Sequence, residues 1–157
     1  MFDIKFTGDK ELAKYLKSLD KDVNRIMMEE YTKFGKLVEE GARALAPKDR
    51  GDLTDTINSD PAERTSKGIS VEVGVGSVYG VRRHEERPRP GTHPKYENGA
   101  KFPNYYKNGD GLRTRSKGSW RGEKPGRKYL ERAVKATEKD FDEMNERILK
   151  RIMEGRR

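Results

Sequence analysis

Ile69-Ser70-Val71-Glu72-Val73-Gly74-Val75 sets a branched apolar side chain at every second position, the repeat of a half-buried β-strand. Ser66-Lys67-Gly68 before it reads as a hairpin turn, and Val78 to about Arg83 after it reads as a second strand. Upstream the period changes. Val23, Ile26/Met27, Tyr31, Phe34, Leu37/Val38, Ala42 and Leu45 fall three and four apart, which predicts a long helix from about Asp22 to Leu45. Gly35 and Gly41 inside it point to close approach of another helix. Ala46-Pro47 stops it, because a residue before proline is pushed out of the α region. A shorter helix is predicted over Lys10–Leu19 (Leu12, Tyr15, Leu16, Leu19), with Asp9 as its cap. Phe2, Ile4 and Phe6 alternate as a first strand. Asp52–Ser59 is a helical turn or a strand. Downstream, Leu130, Ala133/Val134, Thr137, Phe141, Met144, Ile148 and Ile152 predict one helix from after Gly126 to about Glu154. The class is therefore α+β: an N-terminal strand and two helices, a small antiparallel sheet, a long basic loop excursion, and a long C-terminal helix packed on the sheet.

The 157 residues carry 35 Lys/Arg against 27 Asp/Glu, a net charge of +8, and the excess is concentrated. Residues 82–128 hold 14 basic and 5 acidic side chains (+9), leaving 21 basic and 22 acidic elsewhere (−1). The same segment holds 5 of 7 prolines, the only tryptophan, Trp120, and a single residue of the Ile/Leu/Val/Met kind, Leu112. So few aliphatic side chains cannot build a core. The expectation is one domain over 1–157 with 82–128 as a loop that orders against a partner, or else stays solvated. At 31% hydrophobic and 39% charged, against globular averages near 45–50% apolar (glycine included in that count) and ~25% charged, a thin core leaning on neighbouring subunits is expected.

Much chemistry is unsupported. With no cysteine there is no disulfide, thiolate cluster or cysteine nucleophile. No apolar run approaches a membrane span of ~18 residues, and the start shows no secretory pattern, so a soluble protein folded in a reducing compartment is expected. Gly74-Val-Gly-Ser-Val-Tyr-Gly80 misses the dinucleotide-binding spacing, and no phosphate-binding loop occurs. His84-Glu85 opens like a zinc-protease helix, but the second histidine position is Pro88. A hydrolase around His84, Glu85 and His93 is the weakest alternative. No catalytic residue, cofactor or metal ligand is assigned.

Four short motifs then occur in order. Ala44-Leu-Ala-Pro47 with Arg50-Gly51-Asp52-Leu53 and Thr56-Ile57 comes first, followed by Val71-Glu-Val-Gly74. Tyr79-Gly80 leading to His84-Glu85, and Gly126-Arg-Lys128-Tyr-Leu-Glu131-Arg-Ala133, complete the series. Together they resemble the small neck and tail-completion proteins of long-tailed bacteriophages. The resemblance marks Pro47, Gly51, Leu53, Tyr79, Gly126, Tyr129 and Leu130 as fold-specifying. It implies a non-enzymatic virion subunit at the head–tail junction, folded and assembled in the host bacterial cytoplasm. A homo-oligomeric ring is implied, six-fold favoured and twelve-fold the alternative. Its partners would be connector or head-closure proteins and tail terminator or tail tube proteins, with no membrane. The segment 82–128 is longer than the corresponding interval in that family.

Contacts to a partner are expected from Arg82, Arg83, Arg87, Arg89, Tyr105, Tyr106, Arg113, Arg115, Lys117, Trp120 and Arg121. Protein docking is favoured over non-specific contact with genomic DNA in the channel, since tight phosphate binding would hinder sliding. The competing reading is a nucleic-acid-binding module that uses 82–128 as a basic arm with interleaved aromatics.

Overall fold

The computed structural model describes residues 10–48, 52–66 and 68–155. The expected strand over Phe2–Phe6, the Asp9 cap and Gly51 lie outside the described residues, as do the side chains of Leu12, Tyr15 and Leu16. The chain is α+β, with a long helix towards each end and small antiparallel sheets between them. The helices are α1 (Lys10–Leu45), α2 (Asp52–Asp55), α3 (Val78–Glu85), α4 (Leu112–Arg115), α5 (Tyr129–Ala136) and α6 (Glu138–Glu154). The strands are β1 (Ile57–Ser59), β2 (Glu63–Thr65), β3 (Gly68–Ser70), β4 (Val73–Val75), β5 (Thr92–Glu97), β6 (Ala100–Lys107) and β7 (Asp110–Gly111).

Several expectations are corrected. The two N-terminal helices are one, because Ser18–Asp22 contains neither proline nor glycine to break α1. The C-terminal helix is two. Buried Thr137 turns its hydroxyl back onto the carbonyls of Ala133 (2.9 Å) and Val134 (3.0 Å), competing with the helical ladder. Val78–Glu85 is helical rather than extended, since Ser77 caps it with Oγ accepting from Gly80 N at 3.0 Å. The alternating run 69–75 is two short strands in two sheets: β3 pairs with β2, and β4 with β1. Pro61 has no N–H to offer the ladder, which resumes beyond it in a new register. Residues 52–59 supply both the helical turn and the strand.

One compact unit takes α1 up to Lys36, Asp60–Glu72 and the chain from Lys139. Its core joins Ile26 of α1 to Met144 and Ile148 of α6, flanked by Met27, Tyr31, Phe34 and Ile152. Phe141 meets Tyr31 and Phe34 edge-on, at 6.2 and 5.4 Å between centroids. Buried Glu30 accepts from Arg147 (3.2 Å) and Arg151 (2.9 Å), which supplies the partners a buried carboxylate requires.

The other unit takes Leu37–Ser59 and Val73–Glu138. Val38, Ala42, Leu45, Leu53, Ile57, Tyr129 and Ala133 are buried in it. Buried Glu39 receives Ser59 N (2.9 Å) and Ser59 Oγ (2.6 Å) and pairs with Arg43 at 2.9 Å, fixing β1 beside the end of α1. Gly41 lies under the indole of Trp120: a Cβ there would stand 2.5 Å from two ring carbons. The close approach expected at this glycine is thus made by a ring, not by a second helix.

Candidate functional site

The segment expected to be a loop contains a three-stranded antiparallel sheet, in the order β5-β6-β7. Two Asn-Gly pairs make its turns. Asn98 (φ 50°) and Gly99 (φ 77°) join β5 to β6, and Asn108 (φ 52°) and Gly109 (φ 88°) join β6 to β7. Positive φ at both central positions suits the twist of tight hairpins, and Asn-Gly accepts it most readily. His93 pairs with Tyr106 and Lys95 with Phe102, and the register shifts between them at Pro94. Asn108 closes the far end: its N donates to Gly91 O (2.8 Å) and its Oδ1 accepts from Gly91 N (3.0 Å).

The cationic candidates divide into two sets. Most of the first set reaches back onto the chain's own carbonyls and rings. Lys117 Nζ donates to the carbonyls of Arg43 (3.1 Å) and Ala46 (2.7 Å), satisfying groups that the end of α1 leaves open. Burial, with the nearby charge of Lys48, pushes its ammonium below the usual lysine range. Arg115 donates to the carbonyls of Tyr105 (3.0 Å), Asp110 (3.3 Å) and Asn104 (3.5 Å), bracing β6 against β7. Trp120 covers Gly41, and the Arg121 guanidinium lies 4.9 Å from the indole centroid. Tyr105 and Tyr106 meet edge-on at 4.9 Å, with Lys95 Nζ 4.8 Å from the Tyr105 centroid. Arg113 is exposed on α4.

The second set lines one cleft of about 310 Å³. Arg82, Arg83, Arg87 and Arg89 border it, joined by Arg127 and His93, with walls of Pro47, Pro88, Pro94 and Tyr106. Arg82 is held by Glu86 at 3.4 Å. Arg83 reaches Gly109 O at 3.5 Å, while its buried Nε has no partner. Arg87 and Arg89 are exposed and make no ion pair or hydrogen bond among the described residues. Asp110 lies on the same wall; burial raises its carboxyl above the ordinary range despite Arg83, Arg132 and Arg115 nearby. Five arginines against two carboxylates, Glu86 and Asp110, leave the cleft with an excess of positive charge. Beside this sheet, Val78 (87% exposed), Val81, Tyr96 (68% exposed), Phe102 and Leu112 leave apolar surface in solvent.

Several of the fold-specifying candidates among the described residues meet near the start of α5. Tyr129 is fully buried, donates to Gly80 O at 2.8 Å and meets His84 edge-on at 5.0 Å. A Cβ on Gly80 would collide with Val75 and Leu53. Gly126 (φ 143°) donates to Leu45 O at 2.8 Å, and Lys128 grips both oxygens of Glu85 at 2.9 and 2.8 Å. Pro47 is buried, Leu130 half-buried and Tyr79 half-exposed. His84 and Glu85 thus dock α5, and His93 Nε2 lies 2.8 Å from Pro90 O. Among the described residues no three His, Cys, Asp or Glu side chains form a metal-binding group. Arg127, Asp110 and the Asn-Gly turns escaped sequence reasoning, and His93 was weighed only for a hydrolase. The Asn-Gly dipeptides were the available signal.

No helix among the described residues is long and apolar enough to cross a membrane. No curated protein and no solved structure matches the chain. A family profile described as "Bacteriophage HK97-gp10, putative tail-component" matches residues 10–105, which is most of the chain and includes α1, the small sheets, α3 and nearly all of β6. The chain belongs to the HK97-gp10-like family of bacteriophage tail components.

Proposed function

We propose that this phage tail component is a non-enzymatic neck or tail-completion subunit at the head–tail junction. In this reading it closes into a ring, six-fold in preference to twelve-fold, and assembles in the host cytoplasm. It joins the connector or head-closure proteins to the tail terminator or tail tube. The observation that carries the reading is the surface built by residues 78–112. Val78 and Val81 on α3, Tyr96 and Phe102 on the sheet and Leu112 on α4 are all exposed, in the same stretch of chain as the unpartnered Arg87 and Arg89. Apolar side chains left in water beside a charged rim suit protein docking better than catalysis. A phage deleted for this protein yields separate heads and tails by negative-stain microscopy. Joined, infectious particles from that deletion overturn the proposal.

The charge concentrated in 82–128 favours one second reading, non-specific contact with the genome by the same surface. Duplex binding of that kind weakens steeply as salt rises. No binding at ~50 mM salt eliminates it.

A further inference from the structure

We propose that the arginine cleft is one half of a head-to-tail contact between copies of this chain, and that its other half is a carboxylate stripe on α6. Two guanidinium groups in the cleft lack acidic partners, and a third is incompletely satisfied. Arg87 and Arg89 have none among the described residues, and Arg83 has a buried Nε without an acceptor. The first turns of α6 carry the complement. Glu138, Asp142 and Glu146 are exposed and make no ion pair or hydrogen bond among the described residues. They recur every four residues, so they form one stripe about 12 Å long. The neighbouring row is self-satisfied, with Lys139 3.9 Å from Glu143.

Shape selects carboxylate side chains over duplex phosphates. The cleft is concave and walled by Pro47, Pro94 and Tyr106, so it admits side chains individually. A duplex is a convex rod about 20 Å across and can touch only the rim. Because the two surfaces are different patches of one polypeptide, the contact is heterologous, and repetition closes a ring or extends a filament. This inference rests on the ring reading above and names the interface that reading requires.

The test is sedimentation velocity on the nuclease-treated full-length protein. Wild type is expected to associate, less so at high salt. Arg87→Glu with Arg89→Glu, or Glu138→Arg with Asp142→Arg and Glu146→Arg, is expected to weaken association at least ~10-fold, about 1.4 kcal/mol. Mixing the two variants restores assembly, since each then offers the complement of the other's reversed surface. The milder R87Q/R89Q and E138Q/D142Q/E146Q give the same loss without restoration on mixing, which covers any misfolding of the reversals. Unchanged assembly of folded variants overturns this interface and leaves ring formation intact. A wild type that stays monomeric at all concentrations overturns both. Loss of duplex retention with assembly unaltered assigns the cleft to nucleic acid and overturns the contact.

Discussion

A helix interior glycine costs about 1 kcal/mol relative to alanine, so Gly41 needs a compensating contact. That contact is the face of Trp120, against which no β-carbon fits. The need was legible in the sequence; the neighbour was not, because nothing local ties a helix glycine to an indole in a distant Gly-rich stretch. Gly41→Ala should lose up to about 2 kcal/mol by urea unfolding, overpacking of ~1–3 kcal/mol being partly offset by helix propensity. Trp120 is the only tryptophan, so its emission should shift to longer wavelength as the ring is displaced. Unshifted emission in the variant would mean that the indole does not rest on Gly41.

Among the elements, helices were the most legible, because periods of three and four persist over long apolar stripes. Their joints were not: the continuity of α1 depends on the absence of a breaker, and the break before α6 on a threonine hydroxyl. The sheet β5-β6-β7 was hidden for a different reason. Its strands carry Pro94 and Pro103 and no branched aliphatic side chain, so the alternation that marks a strand is missing. Its cohesion comes from turns and arginine–carbonyl bonds. A basic residue in this region can consequently be a brace. Lys117→Met should cost about 1–3 kcal/mol by leaving two carbonyls at the end of α1 open. Arg87→Ala should stay within ~0.5 kcal/mol, as for an exposed side chain. Equal losses in urea unfolding would contradict this division.

For the whole molecule, the partition of charge was visible in the sequence, but its physical meaning was not. A segment with few apolar side chains was expected to need a partner to take shape, yet it carries its own hydrogen-bonded frame. Stability should also bear a signature at each end of the pH scale. Burial pushes the Tyr129 hydroxyl up to about 12, whereas the unfolded group titrates near ~10. The folded state holds that proton longer, so stability is full below about pH 10 and declines towards pH 12, by about 2–3 kcal/mol. Tyr129→Phe should abolish that part of the decline in melts taken across this range. At the acid end, Arg151 holds Glu29 below the usual carboxylate range. Glu30 is also low: burial opposes ionisation there, but the hydrogen bonds from Arg147 and Arg151 prevail. Stability from these groups is present above about pH 4.5 and lost below it. The hairpin turns have a chemical consequence of their own. An asparagine followed by glycine is the peptide linkage most prone to spontaneous deamidation through a cyclic imide. Asn108 has its carboxamide tied to Gly91, whereas Asn98 sits exposed at the tip of the β5–β6 hairpin. Ageing should therefore begin at Asn98, placing a new negative charge and an extra backbone carbon in the turn that sets the register of the sheet.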